Sequence, residues 1–234
     1  MTTVVYEPPA LAMIHTVPGI IPMFNKLVGR HLPDWRPFNM ADESLLGNTI
    51  REGALSRETM RRLVTQIWSA VDAGASAVLV TCSSLGPAVD AAVPLCPVPL
   101  FRIDDGMAIK AIGRGNRIGV LATLVTTLDP TSRLIERHAQ RMGRDISLTS
   151  RLCEGAFDKL RSGDKAGHDA MIREGLASIM EKVDVVVLAQ ASMANALNEM
   201  SDMVVPVLAS PELGVLHMSS ALNAHACAQG SSQK

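Results

Sequence analysis

The chain has 234 residues, 47% of them hydrophobic and 3% aromatic, with 22 basic against 23 acidic side chains and a formal net charge of -1. That length can bury a sizeable core in one compact unit or two lobes. The balanced charge excludes a nucleic-acid grip, the scarce aromatics exclude base-stacking platforms, and no basic run marks a membrane surface.

From the amino terminus, MTTVVYEPPALAMIHTVPGI has no basic start, apolar core and small-residue cleavage site in sequence, so no signal peptide is expected. No apolar run approaches the roughly 18 residues needed to span a bilayer. The expectation is a cytoplasmic chain with no membrane partner. LAMIHT (11–16) reads as a strand. NMADESLLGN, with Asp42 and Glu43, reads as a loop near a cleft, its carboxylates solvated. SRETMRRLVTQIWSAVDAG (56–74) has helical period, with Ser56 as N-cap and Gly74 just past the end. SAVLVT (76–81) is a buried strand, and VPLF (98–101) a short one. Asp104 or Asp105 caps a helix through about Ile112.

GRGNRIG (113–119) imitates a dinucleotide loop, but it precedes a strand where that fingerprint must follow one. It reads as a helix-to-strand turn into RIGVLAT (117–123). Asp129-Pro130 predicts a helix start, an N-cap followed by proline in the first turn, with Gly143 ending the helix. ISLTSRLC (146–153) is a strand running into a loop. Asp164 to about Lys182 is helical, with His168 and Asp169 on a solvated face. DVVVLA (184–189) and VPVLAS (205–210) are strands, and Glu212 to about Ala228 is the last helix. Near-continuous apolar strands alternating with helices predict an α/β fold on parallel sheets.

The chain also repeats itself at an offset of 108 positions: VLVTCSSL (78–85) meets VVLAQASM (186–193), LAMIHT meets GVLATL (119–124), and Gly106 meets Gly214. Two similar lobes would expose their strand ends to one cleft, where small ligands bind. We expect a first lobe of 1–105 with 214–234, and a second of 106–213.

The four cysteines, Cys82, Cys96, Cys153 and Cys227, fit no CxxC or zinc spacing, so free thiols are expected. Cys82 stands just past a buried strand, and Gly86-Pro87 suggests a short helix nearby. A helix N-terminus favours the thiolate. Its N–H groups, with the hydroxyls of Ser83 and Ser84, suit a carboxylate. The alternative is a buried structural cysteine beside capping serines. Other predicted strand ends carry His15 and Thr16, Thr123 and Thr126, and Gln190 and Ser192. Met193, beside Ser192, is a candidate pocket residue among methionines that mostly fill the core. His31, His138, His217 and His225 have no ligand-like spacing, so no metal is expected.

TCSSLG after SAVLV, the second-lobe LAQASMA, the IHTVPG start and the ATLVTT strand end together resemble the aspartate/glutamate/hydantoin racemase superfamily, which includes maleate isomerases and arylmalonate decarboxylases. The resemblance spans nearly the whole chain. It implies two pseudo-symmetric α/β lobes around a cleft, the last helix packing back on the first lobe. It also implies no metal or organic cofactor, and a homo-oligomer. In the racemases two thiols face each other across the substrate. Cys82 matches the first. The second position aligns with Gln190, and neither Ala191 nor Ser192 is a thiol. A carboxamide neither takes nor gives a proton near neutral pH, which leaves the two-thiol route without its second thiol. Cys153 and Cys227 read as structural.

His15 falls where glutamate racemases of this superfamily carry an acidic residue beside the first cysteine. It is a candidate for tuning Cys82 or for second acid/base; otherwise it is a strand-end histidine bonded to backbone. The expected function is a cofactor-independent racemase or isomerase of a small carboxylic acid or amino-acid derivative. Cys82 and His15 are its catalytic candidates. Thr16, Thr81, Ser83, Ser84, Thr123, Thr126, Gln190, Ala191, Ser192 and Met193 are its substrate-binding candidates. The alternatives are a decarboxylase or other lyase with Cys82 as proton donor, hydrolysis with a Cys82 nucleophile, and a non-catalytic carboxylate-binding protein.

Overall fold

A computed structural model describes residues 7–199, 203 and 205–231, the side chains of 198, 199 and 225–231 excepted. The readings of the His225 and Cys227 side chains therefore lie outside what is described, as does the extreme amino terminus.

Two four-stranded sheets repeat one plan. The first runs in the order β2 (Arg36–Ala41), β1 (Ala10–His15), β3 (Ala75–Val80), β4 (Leu100–Arg102). The second runs in the order β6 (Ser147–Leu152), β5 (Arg117–Ala122), β7 (Val185–Leu188), β8 (Val207–Ala209). Every pairing is parallel. The central strands are apolar because helices cover both faces of a parallel sheet. The edge strands β2 and β6 are largely exposed and mixed in sequence; β6 still reads as a strand, whereas RPFNMA, with its early proline, hides the signal. Sequence reading missed β2 for that reason.

The helices of the first half are α1 (Ile21–His31), α2 (Glu43–Glu52), α3 (Arg57–Asp72) and α4 (Gly86–Ala92). The remaining helices are α5 (Asp105–Ile112), α6 (Val125–Arg141), α7 (Ala156–Arg161), α8 (Lys165–Ile179) and α9 (Ser210–Ser231). Ser56 caps α3 as its spacing predicts, its side chain accepting from the Thr59 N–H. Asp164 does the same for α8 through Gly167.

Helix α5 comes after the first sheet in sequence but packs Met107, Ala111 and Ile112 into the second core, with Ile118 and Val120. Helix α9 packs Val215, Met218 and Leu222 into the first core, with Leu11 and Met13. The two helices meet where Gly106 faces the Leu213 carbonyl and Gly214 faces the Ile103 carbonyl. A Cβ on either glycine would overlap that backbone oxygen. The repeat thus places its paired glycines at one close crossing.

Several expectations need correction. Asp129-Pro130 does not start α6. The helix begins at Val125, with Leu124 as N-cap and its carbonyl taking the Thr127 and Leu128 N–H groups, so Pro130 falls in the second turn. Asp42 is not a solvated loop carboxylate. It caps α2 through the Ser44 N–H at 3.0 Å and accepts from Arg62 at 2.8 Å and Gln66 at 2.7 Å. Burial alone would raise its pKa; the Ser44 hydrogen bonds and Arg62 outweigh that and hold it below the usual carboxylate value. His168 does not lie on a solvated face. It is buried, its Nδ1 2.7 Å from Asp169 Oδ1. The last helix starts at Ser210, two residues earlier than Glu212.

Candidate active site

The carboxyl ends of β1 and β3 from one sheet, and of β5 and β7 from the other, converge on a small cavity of about 40 Å³. From the first sheet come Thr16, Thr81, Cys82, Ser83 and Ser84, and from the second Gln190, Ala191 and Ser192. Val17, Ile20, Leu46, Leu124 and Phe157 close it with apolar surface, and Thr127 adds a hydroxyl.

Cys82 sits where β3 has just ended and a 3-10 turn, Ser83–Leu85, leads into α4. The chain turns there so that the Ser84 and Leu85 N–H groups point at the sulfur, and Thr16 adds a hydroxyl. These donors pull the thiol toward ionisation, as a helix start should. Burial acts the other way and is the larger effect, so the Cys82 pKa is raised. The resting group is a thiol. The expectation of a favoured thiolate is corrected on that point: the N–H donors are present, but desolvation of the charge exceeds them.

Ser84 Oγ and Thr127 Oγ1 lie 2.7 Å apart, a buried bond between the two halves. Gln190 lines the cavity from the second half. Its Oε1 accepts from the Thr123 N–H at 2.6 Å and from Thr123 Oγ1 at 2.9 Å.

His15 is fully buried but is not part of the cavity wall. Its Nε2 lies 2.9 Å from Asn39 Oδ1 and its Nδ1 2.9 Å from Thr81 Oγ1. Asn39 Oδ1 can only accept, which puts the proton of a neutral ring on Nε2; Nδ1 then accepts from the Thr81 hydroxyl, whose other contact is the Ile14 carbonyl at 3.1 Å. That network assigns a neutral imidazole protonated on Nε2. Burial lowers the His15 pKa, with the Asn39 hydrogen bond opposing in part.

Three other candidates stand elsewhere than expected. Thr123 acts behind the wall, on Gln190. Thr126 faces an outer depression, its Oγ1 buried without a hydrogen-bond partner, while Thr127, one residue on, reaches the cavity. Met193 is fully buried in a further cluster with Leu188 and Leu176, and does not line the cavity.

Behind the Cys82 turn lies a charge network that sequence reading missed. Arg102, at the end of β4, is buried and paired with both oxygens of buried Asp104, at 2.8 and 2.9 Å. It also donates to Asp90 on α4 at 2.6 Å. Arg137 on α6 reaches the same Asp90 oxygen at 2.8 Å, linking the two halves. Asp104 therefore spends its carboxylate on Arg102 and makes no side-chain cap to α5. Burial would depress Arg102; Asp104 and Asp90 outweigh it and hold its pKa above the ordinary value. The guanidinium packs so closely on Gly86 that a Cβ there would overlap it. The one sequence signal was RIDD, four residues with three charges directly after a buried strand.

Among the described residues no three His, Cys, Asp or Glu side chains cluster as a metal site, and no helix is long and apolar enough to cross a membrane.

Residues 20–218 match the family described as Asp/Glu/Hydantoin racemase. A solved glutamate racemase isoform from Bacillus anthracis superposes with a TM-score of 0.73 at 16% identity, over 94% of this chain and 84% of that one. Glutamate racemase from Francisella tularensis subsp. tularensis SCHU S4, in complex with D-glutamate, gives 0.73 at 14% identity, over 94% and 83%. Allantoin racemase from Klebsiella pneumoniae gives 0.62 at 15% identity, over 93% and 89%. At these identities the likeness establishes the fold. No curated protein sequence matches the chain.

Proposed function

The chain belongs to the Asp/Glu/hydantoin racemase family, and from that premise we propose that it moves a proton at the α-carbon of a small carboxylic acid through Cys82. It is an isomerase of the racemase type; the thiol's role and the substrate class are our reading. One observation carries that reading: among the described residues lining the cavity, Cys82 has the one titratable side chain.

The thiolate takes the α-proton, and the C–H electron pair delocalises into the carboxylate as an enediolate. The S–H then returns a proton to the carbon, which inverts it only when the planar enediolate has first turned its opposite face to the sulfur. Hydroxyls of Ser83 and Ser84 and the Gln190 carboxamide line the cavity with Cys82, and in this reading they are the donors to the enediolate oxygens. The Thr16 hydroxyl and the Ser84 and Leu85 N–H groups hold the charge on sulfur. Raising the thiol pKa makes Cys82 the stronger base once ionised, at the cost of a smaller ionised fraction. We take the lobes to divide at 105/106 and 213/214.

The protonated resting thiol also favours a second reading, in which Cys82 protonates the carbanion left by decarboxylation. One experiment separates the two. Wild type and Cys82→Ala are incubated in deuterated buffer with aspartate, glutamate, hydantoins, maleate and substituted malonates, and followed by NMR. Deuterium entering an α-position, with no reaction in Cys82→Ala, supports proton transfer at carbon. Release of carbon dioxide supports the second reading. Equal reaction in wild type and Cys82→Ala excludes the thiol.

A further inference from the structure

Gln190 lines the cavity from the second half, and its hydrogen bonds limit what it does there. Its oxygen is occupied twice, by the Thr123 N–H at 2.6 Å and the Thr123 hydroxyl at 2.9 Å. A backbone N–H can only donate. Turning the carboxamide over would set its NH2 against that N–H, donor against donor, so the contact defines which end is oxygen. The end left over is Nε2, which carries two protons and accepts nothing. Gln190 lines the cavity, as do its neighbours Ala191 and Ser192, and none of the three titrates near neutral pH.

We infer that Thr123 is a positioning residue that fixes the Gln190 carboxamide as a hydrogen-bond donor toward the cavity, where it anchors an anionic oxygen of the ligand. The second lobe then contributes anchoring and leaves proton transfer to Cys82. The inference rests on the reading of the cavity as a carboxylate site. It goes beyond that reading by giving Thr123, which lies behind the wall, a defined effect on the ligand. Both Thr123 bonds polarise the Gln190 carbonyl, which sharpens its N–H groups as donors. Holding the amide in one orientation also removes the ordering cost that a free side chain would meet on binding.

The test uses protein labelled with 15N-glutamine and malonate as the probe, with acetate for comparison. The Gln190 NH2 pair is identified by its loss in Gln190→Leu. In wild type the pair should shift as malonate is added, and malonate should bind about tenfold more weakly to Gln190→Leu, the loss expected for one hydrogen bond to a charged group. Thr123→Val should displace the pair in the free protein and weaken malonate several-fold. Thr123→Ser, which keeps the hydroxyl, should restore both.

A pair that Thr123→Val leaves unmoved overturns the positioning role. A pair that malonate and acetate leave unmoved in wild type overturns the anchoring role. Absence of deuterium wash-in, with the pair responding to Thr123 and malonate as expected, counts against Cys82 chemistry alone and leaves this inference standing.

Discussion

Ser84 Oγ and Thr127 Oγ1, 2.7 Å apart and buried, join the two halves of the molecule in the wall of the cavity. Each hydroxyl serves the other, and that of Ser84 also faces Cys82. Thr127→Val or Ser84→Ala leaves one buried hydroxyl without its partner, which should cost about 1–3 kcal/mol. The double variant should cost less than the sum of the two, because neither orphan remains. Urea unfolding of the four proteins measures the coupling, and strict additivity would show that the bond carries no weight.

Cys82 should alkylate slowly near neutral pH. Burial holds its pKa above the ordinary thiol value, so iodoacetamide labelling should rise only at alkaline pH. The same shift is a stability statement. The folded state keeps the proton longer than the unfolded chain, so this contribution is complete below the unfolded thiol pKa. It is lost as pH climbs from there through the raised folded value. Cys82→Ala should flatten the alkaline limb of a stability–pH profile.

His15 gives the opposite limb. Its folded pKa is lowered by burial, so its contribution is present above the unfolded histidine value and lost as pH falls through the folded one. Wild type should weaken on acidification below about 6.5. His15→Gln should show a shallower fall in the same urea titration. Because Nε2 is engaged by Asn39 and Nδ1 meets the cavity wall only through Thr81, this variant should lower activity without abolishing it.

Gly86→Ala should destabilise the fold by about 1–3 kcal/mol, the usual range for overpacking a filled interior. The atom in the way is the Arg102 guanidinium, pinned by Asp104 and Asp90 and unable to swing aside. Gly86 comes directly after the Cys82 turn, so malonate protection of Cys82 from alkylation should weaken in the same variant.

Asp104→Ala should cost more, about 3–5 kcal/mol, because it leaves a buried guanidinium short of its bidentate partner. Thermal unfolding compared with Asp90→Ala tests the ranking. Asp90 is partly exposed and Asp104 is fully buried, so Asp104→Ala should have the larger effect.

The central strands were legible because each is a short apolar run ending in small polar residues. Cys82, Ser83 and Gln190 could be placed near a cleft for the same reason: a buried strand must end, and the residues just past it lie at the sheet's carboxyl edge. The repeat was legible too, since Gly106 and Gly214 keep both their spacing and their crossing. Edge strand β2 was not, because water on one side relaxes the apolar pattern. Nor was Thr127, since the true start of α6 at Val125 turns this residue inward in place of Thr126.

Local pattern, then, determined the α/β class, the doubling and the strand ends that carry polar groups, because periodicity and burial act over a few residues at a time. Tertiary structure decided which of those groups meet. It turned His15 away to Asn39 and Thr81, buried Met193 in the core, and spent Thr123 on the Gln190 oxygen. It also set the protonation of Cys82, through a contest between donors supplied by nearby chain and desolvation supplied by the packing of both halves. Hydrogen bonds and burial between residues far apart in the chain have no period in the sequence, so only the folded arrangement of the two sheets could settle them.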